Sequence, residues 1–266
     1  MAKESSLWKY LLGTFLIGSA LFASKAEAKI SSDNTFNFGA HNESTLGRKN
    51  NGYGYIFDSK NQANLGNYLI SFDIEAYKKT LYVQNSQNTR VGKDDVDNTN
   101  IALLFGLGNK TFSAMIGPYI TFTNASLKQD IVAIDHKTNA SGLKGEFSYK
   151  GLSAYGSVAY GNSRDNVEIN LPAPLEKSVS SSETSLQERK IGIEKDINLG
   201  ILYLNPKIEQ TVETVSSEKS ELKGSLEEWL AFDNINIGLI QQICNGKSGD
   251  KTYDAFFFGG GVKLKW

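Results

Sequence analysis

Apolar and polar residues alternate singly along most of the chain, and this period of two predicts β-strands with two unlike faces. The stretch 66–84 is typical, because Tyr68 and Phe72 fall on an apolar face whereas Asp73 and Glu75 fall on a polar one. Convincing helical periodicity is absent after residue 28. The sequence therefore predicts an all-β protein.

Twelve alternating segments are predicted, and the connections between them are mostly short and long in turn. The segments are 33–42, 52–59, 66–84, 99–108, 111–123, 141–150, 152–162, 185–197, 200–212, 221–232, 235–244 and 254–266. The longer connections are 43–51, 85–98, 124–140, 163–184, 213–220 and 245–252. This arrangement predicts an antiparallel, up-and-down transmembrane β-barrel of about twelve strands. We also expect a hairpin extension at 128–135 and a bulge at Gly117-Pro118.

The first 28 residues have the layout of a secretory signal peptide. Lys3 and Lys9 precede an apolar run that extends from Tyr10 to Ala23, and the triplet at 26–28 (Ala-Glu-Ala) resembles a cleavage site. The run is shorter than the roughly 20 apolar residues that a spanning helix needs. We therefore expect export, with residues 29–266 forming the barrel.

Composition narrows the classes of function. The 266-residue chain has a formal net charge of -1, so it lacks the basic field that nucleic-acid binding requires. A single Cys and two His residues exclude an intramolecular disulfide framework and leave little scope for a metal site. We expect neither a metal nor a cofactor. The mean hydropathy of -0.32 still fits a barrel, because only one face of each strand meets lipid.

The polar faces predict a lumen with equal numbers of carboxylates and lysines, which would give weak ion selectivity or an interior bridged by salt links. The acidic set is Asp73, Glu75, Glu146, Glu194, Asp196, Glu209 and Glu227, and the basic set is Lys144, Lys150, Lys190, Lys207, Lys223, Lys263 and Lys265. The candidate lumen-lining residues are Asp73, Glu75, Lys144, Glu146, Lys190, Glu194, Asp196, Lys223, Glu227 and Lys263.

Aromatic residues gather at the end of the predicted strands where both termini lie. They are Phe57, Tyr68, Phe112, Tyr149, Phe232 and Trp266. An aromatic belt at one membrane interface would place residues there. The alternative is the general preference of aromatic residues for strands.

Three polar features suggest chemistry, and each has a simpler interpretation. His41 and Ser44 would stand near the rim, where His could act as a base for Ser in a hydrolase. The alternative is that both are loop residues without a catalytic role. The stretch 93–100 offers carboxylates to calcium, yet it lacks the Gly and Glu of an EF-hand loop and also suits a solvated turn. Cys244 is either a free or intermolecular thiol or a small packed residue.

The chain ends in Phe-Phe-Phe-Gly-Gly-Gly-Val-Lys-Leu-Lys-Trp, a terminal aromatic residue preceded by alternating apolar residues. With the signal peptide and the repeated alternation, this ending resembles the bacterial outer-membrane β-barrel proteins. The resemblance implies a location in the bacterial outer membrane and recognition by the barrel-assembly machinery. The implied assembly signal consists of Phe258, Val262, Leu264 and Trp266. Trp266 is a mild departure, since phenylalanine is commoner there, and the class brings no catalytic residues.

In chain length and strand number the protein is similar to four members of that class: the small monomeric porins, the nucleoside channel, the outer-membrane phospholipase and the autotransporter translocators, of which the last is disfavoured. The leading hypothesis is therefore a monomeric, non-enzymatic passive channel for small solutes, surrounded by outer-membrane lipid. The alternatives are a non-conducting surface barrel whose outer loops bind partners, an outer-membrane hydrolase, and a soluble secreted β-sandwich. An anionic-sugar channel is not supported, because the chain has only four arginines: Arg48, Arg90, Arg164 and Arg189.

Overall fold

The computed structural model describes residues 29–45, 48–84, 89–109, 111–129, 131–170, 178–215 and 218–265, and all regular structure in these ranges is β-strand. The strands are β1 (Lys29–Thr45), β2 (Arg48–Leu65), β3 (Tyr68–Gln84), β4 (Arg90–Gly108), β5 (Phe112–Gln129), β6 (Val132–Tyr149), β7 (Leu152–Ile169), β8 (Ser178–Lys195), β9 (Ile197–Leu199), β10 (Leu202–Thr214), β11 (Glu218–Phe232), β12 (Ile235–Ser248) and β13 (Lys251–Lys265). The described ranges contain no helix that is long and apolar enough to cross a bilayer. The predicted signal peptide, 1–28, and Trp266 lie outside the described residues.

The strands occupy twelve positions, here called staves, around a closed antiparallel barrel. Neighbours along the chain pair with each other, and β1 pairs with β13 over Asp33–Thr45, which closes the sheet. The short β9 continues β8 in the same register against β10, so β8 and β9 are one stave. The predicted all-β, up-and-down barrel of about twelve strands is confirmed.

Two prolines interrupt the ladder of backbone hydrogen bonds without shifting its register. Pro206 stands opposite the break between β8 and β9, because a proline has no N–H to donate. Pro118 lies at a gap in the pairing of β4 with β5, and the pairs on either side of the gap keep one register. The bulge predicted at Gly117-Pro118 is therefore wrong: the missing donor is tolerated without an extra residue.

The end of the barrel that holds Lys29 and Lys265 is here called the lower end, and its connections are short. Lys150 and Gly151 form one of them, with φ angles of 49° and 78°. Two consecutive residues with positive φ match the primed turns that suit the twist of a hairpin. Lys150 is therefore an exposed turn residue, and its predicted position in the lumen is wrong.

At the opposite, upper end, the strands run much further than the sequence predicts. Pairing of β3 with β4 continues to Gln84 and Arg90, and pairing of β5 with β6 continues to Lys128 and Ala133. The long loops predicted at 43–51, 85–98, 124–140, 163–184, 213–220 and 245–252 are wrong for most of their length, whereas the hairpin predicted around 128–135 is present. Above a membrane both faces of a strand meet water, so period-two alternation fades although pairing continues.

The outer face of the barrel is an apolar band. Outward side chains remain exposed to the surroundings, as Ile116 does at 60% and Ile191 at 62%. Other members are Phe38, Phe105, Leu107, Leu143, Phe147, Ile193, Ile208, Leu230, Ile237, Phe258, Val262 and Leu264. Three residues of the predicted assembly signal thus point outward. Such a surface favours contact with hydrocarbon.

The lower margin of this band carries exposed aromatic side chains beside the turns. Tyr68, Phe112, Tyr149 and Phe232 are among them. Phe57 is not, because β2 continues to Leu65 and leaves Phe57 paired with Phe36 higher up the wall. The predicted membership of Phe57 in an aromatic belt is therefore wrong.

A polar patch interrupts the band on β1 and β2. The Ser32 hydroxyl donates to Asn61 Oδ1, Asn34 Nδ2 donates to Ser32, Ser59 donates to Asn34 Oδ1, and Asn61 Nδ2 donates to Ser59, over 2.7 to 2.9 Å. These four hydrogen bonds form a closed ring. The ring satisfies polar groups that hydrocarbon could not satisfy.

The interior is not uniformly polar. Leu104, Met115 and Leu186 point inward and belong to a buried apolar cluster on one wall, and Ile56, Ile240 and Phe257 form a second cluster. The simple rule of apolar residues outside and polar residues inside therefore holds only in part. A barrel of twelve strands is wider than the eight-stranded barrels that side chains fill completely, and these clusters narrow its lumen.

Candidate functional site

Two cavities lie one above the other in the lumen. The lower has a volume of about 370 Å³ and is lined by residues such as Lys60, Asp73 and Lys263, whereas the upper has about 320 Å³ and is lined by residues such as Glu43 and Tyr253. Five residues line both cavities and are here called the waist: Glu75, Asn100, Tyr119, Lys190 and Glu209. The two cavities therefore meet at the waist.

Ion pairs across the lumen build the waist. Lys190 on β8 has its Nζ 3.3 Å from Glu75 Oε2 on β3 and 3.2 Å from Glu209 Oε1 on β10. Because β3 and β8 are not neighbours, the first of these pairs bridges opposite walls. Lys207 Nζ also lies 3.5 Å from Glu209 Oε2. The boundary between the two cavities is thus crossed by charged side chains.

Uncharged hydrogen-bonding groups complete the waist. Asn100 Nδ2 donates to Glu75 Oε2 over 3.1 Å. The Tyr119 hydroxyl lies 3.0 Å from Asn100 Oδ1 and 3.1 Å from Glu188 Oε1, and its side chain is buried. These contacts fix the carboxylate of Glu75 and the amide of Asn100 in place.

Further ion pairs line the lower cavity. Lys60 Nζ lies 2.5 Å from Glu146 Oε1, and Lys144 Nζ lies 3.2 Å from Asp73 Oδ2, so both pairs join strands that are not neighbours in the sheet. Lys263 Nζ lies 3.4 Å from Asp33 Oδ2 on the neighbouring strand. The lower cavity is therefore polar and cross-linked.

In the upper cavity, Lys79 Nζ lies 2.7 Å from Glu43 Oε2, and the Tyr253 hydroxyl donates to Glu221 Oε2 over 2.7 Å. The ring of His41 lies between those of Tyr77 and Phe257, with centroids 6.3 and 6.4 Å away. The wall of the upper cavity therefore combines ion pairs with aromatic rings.

A comparison with protein-family models finds no match, and a comparison with curated proteins finds none either. Solved structures do match. The β domain of the Bordetella autotransporter Brka is 11% identical, with a TM-score of 0.53, over 90% of this chain and 100% of that one. The TodX deltaS2S3 mutant monoaromatic hydrocarbon channel is 5% identical, with a TM-score of 0.51, over 89% of this chain and 90% of that one. The translocator domain of autotransporter NalP from Neisseria meningitidis is 12% identical, with a TM-score of 0.49, over 99% and 98%.

The chain has the fold of a bacterial outer-membrane β-barrel. At such identities the likeness concerns the fold alone. The closed sheet and the apolar outer band agree with the predicted location in the bacterial outer membrane.

In this outer-membrane barrel, the side chains of all ten candidate lumen-lining residues border the cavities. Asp73, Lys144, Glu146, Glu194, Asp196, Glu227 and Lys263 line the lower cavity, Lys223 lines the upper one, and Glu75 and Lys190 lie in the waist. The structure brings Glu75 together with Lys190 and Lys144 together with Asp73. Period-two alternation places residues i and i+2 on one face, which is why sequence reasoning found this face.

Several lining residues of the outer-membrane barrel escaped the sequence analysis. Tyr119 follows Pro118, Lys60 falls in a predicted turn, and Glu43 and Lys219 fall in predicted loops. For Lys60 a signal exists, because Phe57, Ser59, Asn61, Ala63 and Leu65 continue one outward face through the predicted turn. Which residues contact each other across the lumen cannot be recognised from the local sequence.

The predicted balance of seven carboxylates and seven lysines is wrong. Thirteen different acidic residues and eight lysines line the two cavities. The prediction left out acidic residues near strand ends and in predicted loops, among them Asp33, Asp58 and Glu213, and it included Lys150. The lumen of the outer-membrane barrel therefore carries an excess of negative charge.

The structure shows where the three features that suggested chemistry in the sequence lie. His41 points into the upper cavity with Nδ1 3.2 Å from the Phe256 carbonyl oxygen, whereas Ser44 belongs to the opposite face of β1. The stretch 93–100 lies in β4, where Asp94 faces away from Asp95 and Asp97, and no metal-binding group of three occurs among the described residues. Cys244 lines the upper cavity as a free thiol.

Proposed function

We propose that this outer-membrane barrel is a passive channel for small solutes, with a conducting path that narrows at the waist. One observation carries the proposal: the upper and lower cavities share the five waist residues as a common boundary. A solute that crosses the lumen would leave one cavity and enter the other at this boundary. Polar and charged side chains line both cavities, so water and hydrated solutes can occupy them.

The channel acts as a monomer in outer-membrane lipid and has no catalytic step. Each barrel holds a complete lumen, so a second copy is not needed to form the path. The lower half of β13, with Phe258, Val262 and Leu264 facing outward, supports recognition by the barrel-assembly machinery. Ser44 and His41 face opposite sides of β1, which speaks against their acting together in hydrolysis.

Planar lipid bilayers test the channel. Wild-type barrel should give stepwise ionic currents, and Lys190→Ala should raise the single-channel conductance by about twofold, because it removes the side chain that joins Glu75 to Glu209 across the waist. The matched control is Lys195→Ala, which removes an outward-facing lysine from the same strand.

The control should retain the wild-type conductance. Barrel folding is checked for each protein by heat-modifiable gel migration. Folded wild-type barrel that never gives stepwise current contradicts the channel. A conductance that Lys190→Ala leaves unchanged contradicts the assignment of the waist as the narrowest point.

A further inference from the structure

The lysines that line the two cavities are almost all neutralised locally. Seven of the eight, all but Lys223, have a carboxylate oxygen within 2.5 to 3.7 Å. Their partners are seven carboxylates: Asp33, Glu43, Asp73, Glu75, Glu146, Glu209 and Glu213. A mobile anion would therefore find little uncompensated positive charge among the described residues.

Six lining carboxylates remain without a lysine nitrogen in this range among the described residues: Asp58, Glu188, Glu194, Asp196, Glu221 and Glu227. Neutral donors hold several of them. Tyr253 donates to Glu221 over 2.7 Å, Trp229 Nε1 donates to Glu227 over 3.0 Å, and Asn205 Nδ2 donates to Asp196 over 2.7 Å. A neutral donor favours the charged carboxylate but adds no positive charge.

These carboxylates are distributed along the path. Glu221 lines the upper cavity, and Asp196 and Glu227 line the lower one. At the waist between them, the two carboxylates Glu75 and Glu209 are in contact with Lys190 and Lys207. Uncompensated negative charge therefore lies in both cavities, on either side of the waist. Low-dielectric walls strengthen the potential of charges that line a cleft, and the attracted counter-ions are cations.

We infer that the lumen is selective for small cations, meaning monovalent metal ions and small ammonium compounds. The inference rests on the proposed channel function and names its substrate class. Cations would exchange between successive unpaired carboxylates on both sides of the waist, whereas anions would meet a repulsive potential in each of the two cavities. Pores that favour one sign of ion are lined by charges of the opposite sign.

Reversal potentials across bilayers with a gradient of potassium chloride test the inference. Wild-type barrel should favour K⁺ over Cl⁻ by about threefold or more. The triple variant Asp196→Asn, Glu221→Gln, Glu227→Gln should bring this ratio close to unity. The new amides keep a carbonyl oxygen that accepts from Asn205, Tyr253 and Trp229, so these hydrogen bonds are retained.

Glu228→Gln is the matched control. Glu228 is the neighbour of Glu227 in β11 but lies on the outer face, paired with Leu239, so its replacement should leave the ion preference unchanged. If the triple variant does not fold, as judged by heat-modifiable migration, Glu227→Gln alone should lower the K⁺ preference by a smaller factor.

The outcomes separate the inference from the proposed function. Currents with equal or greater preference for Cl⁻ overturn the cation selectivity but leave the channel in place. A triple variant that keeps the full K⁺ preference also overturns the inference, because the unpaired carboxylates would not be its cause. Absence of any current from folded barrel overturns the channel and the inference together.

Discussion

Ile116→Arg should lower the free energy of unfolding in lipid vesicles by about 2–4 kcal/mol, whereas Val179→Arg should change it by at most about 1 kcal/mol. Both residues are β-branched, point outward and are similarly exposed, at 60% and 65%. They differ in height. Ile116 lies midway between Phe112 and Phe122 in the apolar band, but Val179 lies near the upper end of β8, far above Arg189, where the band has ended.

The physical reason is the loss of solvation for the guanidinium at the centre of the hydrocarbon, where no water or counter-ion reaches it. Reversible urea unfolding, followed by tryptophan fluorescence in phosphatidylcholine vesicles, measures both costs. Equal costs at the two positions would contradict a lipid-embedded band around the middle of the barrel. The pair of variants controls for the general effect of introducing arginine.

Lys190→Ala should cost about 3 kcal/mol of unfolding free energy, because it removes the lysine partner of Glu75 and leaves the buried Glu209 with Lys207 alone. Lys190 has 14% of its side chain exposed and Glu209 only 6%, so water screens this pair weakly. The outward-facing control Lys195→Ala should change stability by less than about 0.5 kcal/mol.

A double-mutant cycle isolates the pair. Combining Lys190→Ala with Glu209→Gln should restore part of the loss, with a coupling energy of about 1–3 kcal/mol, because the second change removes the buried carboxylate that Lys190 contacts in the wild type. Additive costs in the cycle would show that Lys190 and Glu209 do not interact across the waist. The same urea titration supplies all four stabilities.

The membrane-embedded half of the fold is readable from the sequence because hydrocarbon imposes alternation there. Ile116, Ile120 and Phe122 indicate an outward face. Closure of the sheet into a barrel follows because a lipid-exposed sheet edge would leave backbone groups without hydrogen-bond partners. The upper half is not readable in this way. Residues such as Lys93, Asp95 and Asp97 lie in a paired strand, yet their composition is that of a solvated loop.

The candidate site is likewise predictable from the sequence only in part. Alternation assigns Glu75 and Lys190 to the inner face, but it says nothing about which strands face each other across the lumen. The ion pair between them joins residues 115 positions apart, and only the closed geometry of twelve staves brings them together. The surplus of carboxylates was missed because it depends on residues beyond the predicted strand ends, such as Glu43 and Glu213.

The most direct test of a water-filled interior and a lipid-covered exterior compares two neighbouring cysteine substitutions, Ser153→Cys and Ala154→Cys, in a Cys244→Ser background. Ser153 lines the lower cavity, whereas Ala154 lies on the outer face between Phe147 and Ile193. A small water-soluble thiol reagent should modify position 153, while a fluorophore at position 154 should be quenched by spin-labelled lipid. Modification by the water-soluble reagent only at position 154, or lipid quenching only at position 153, would contradict the account.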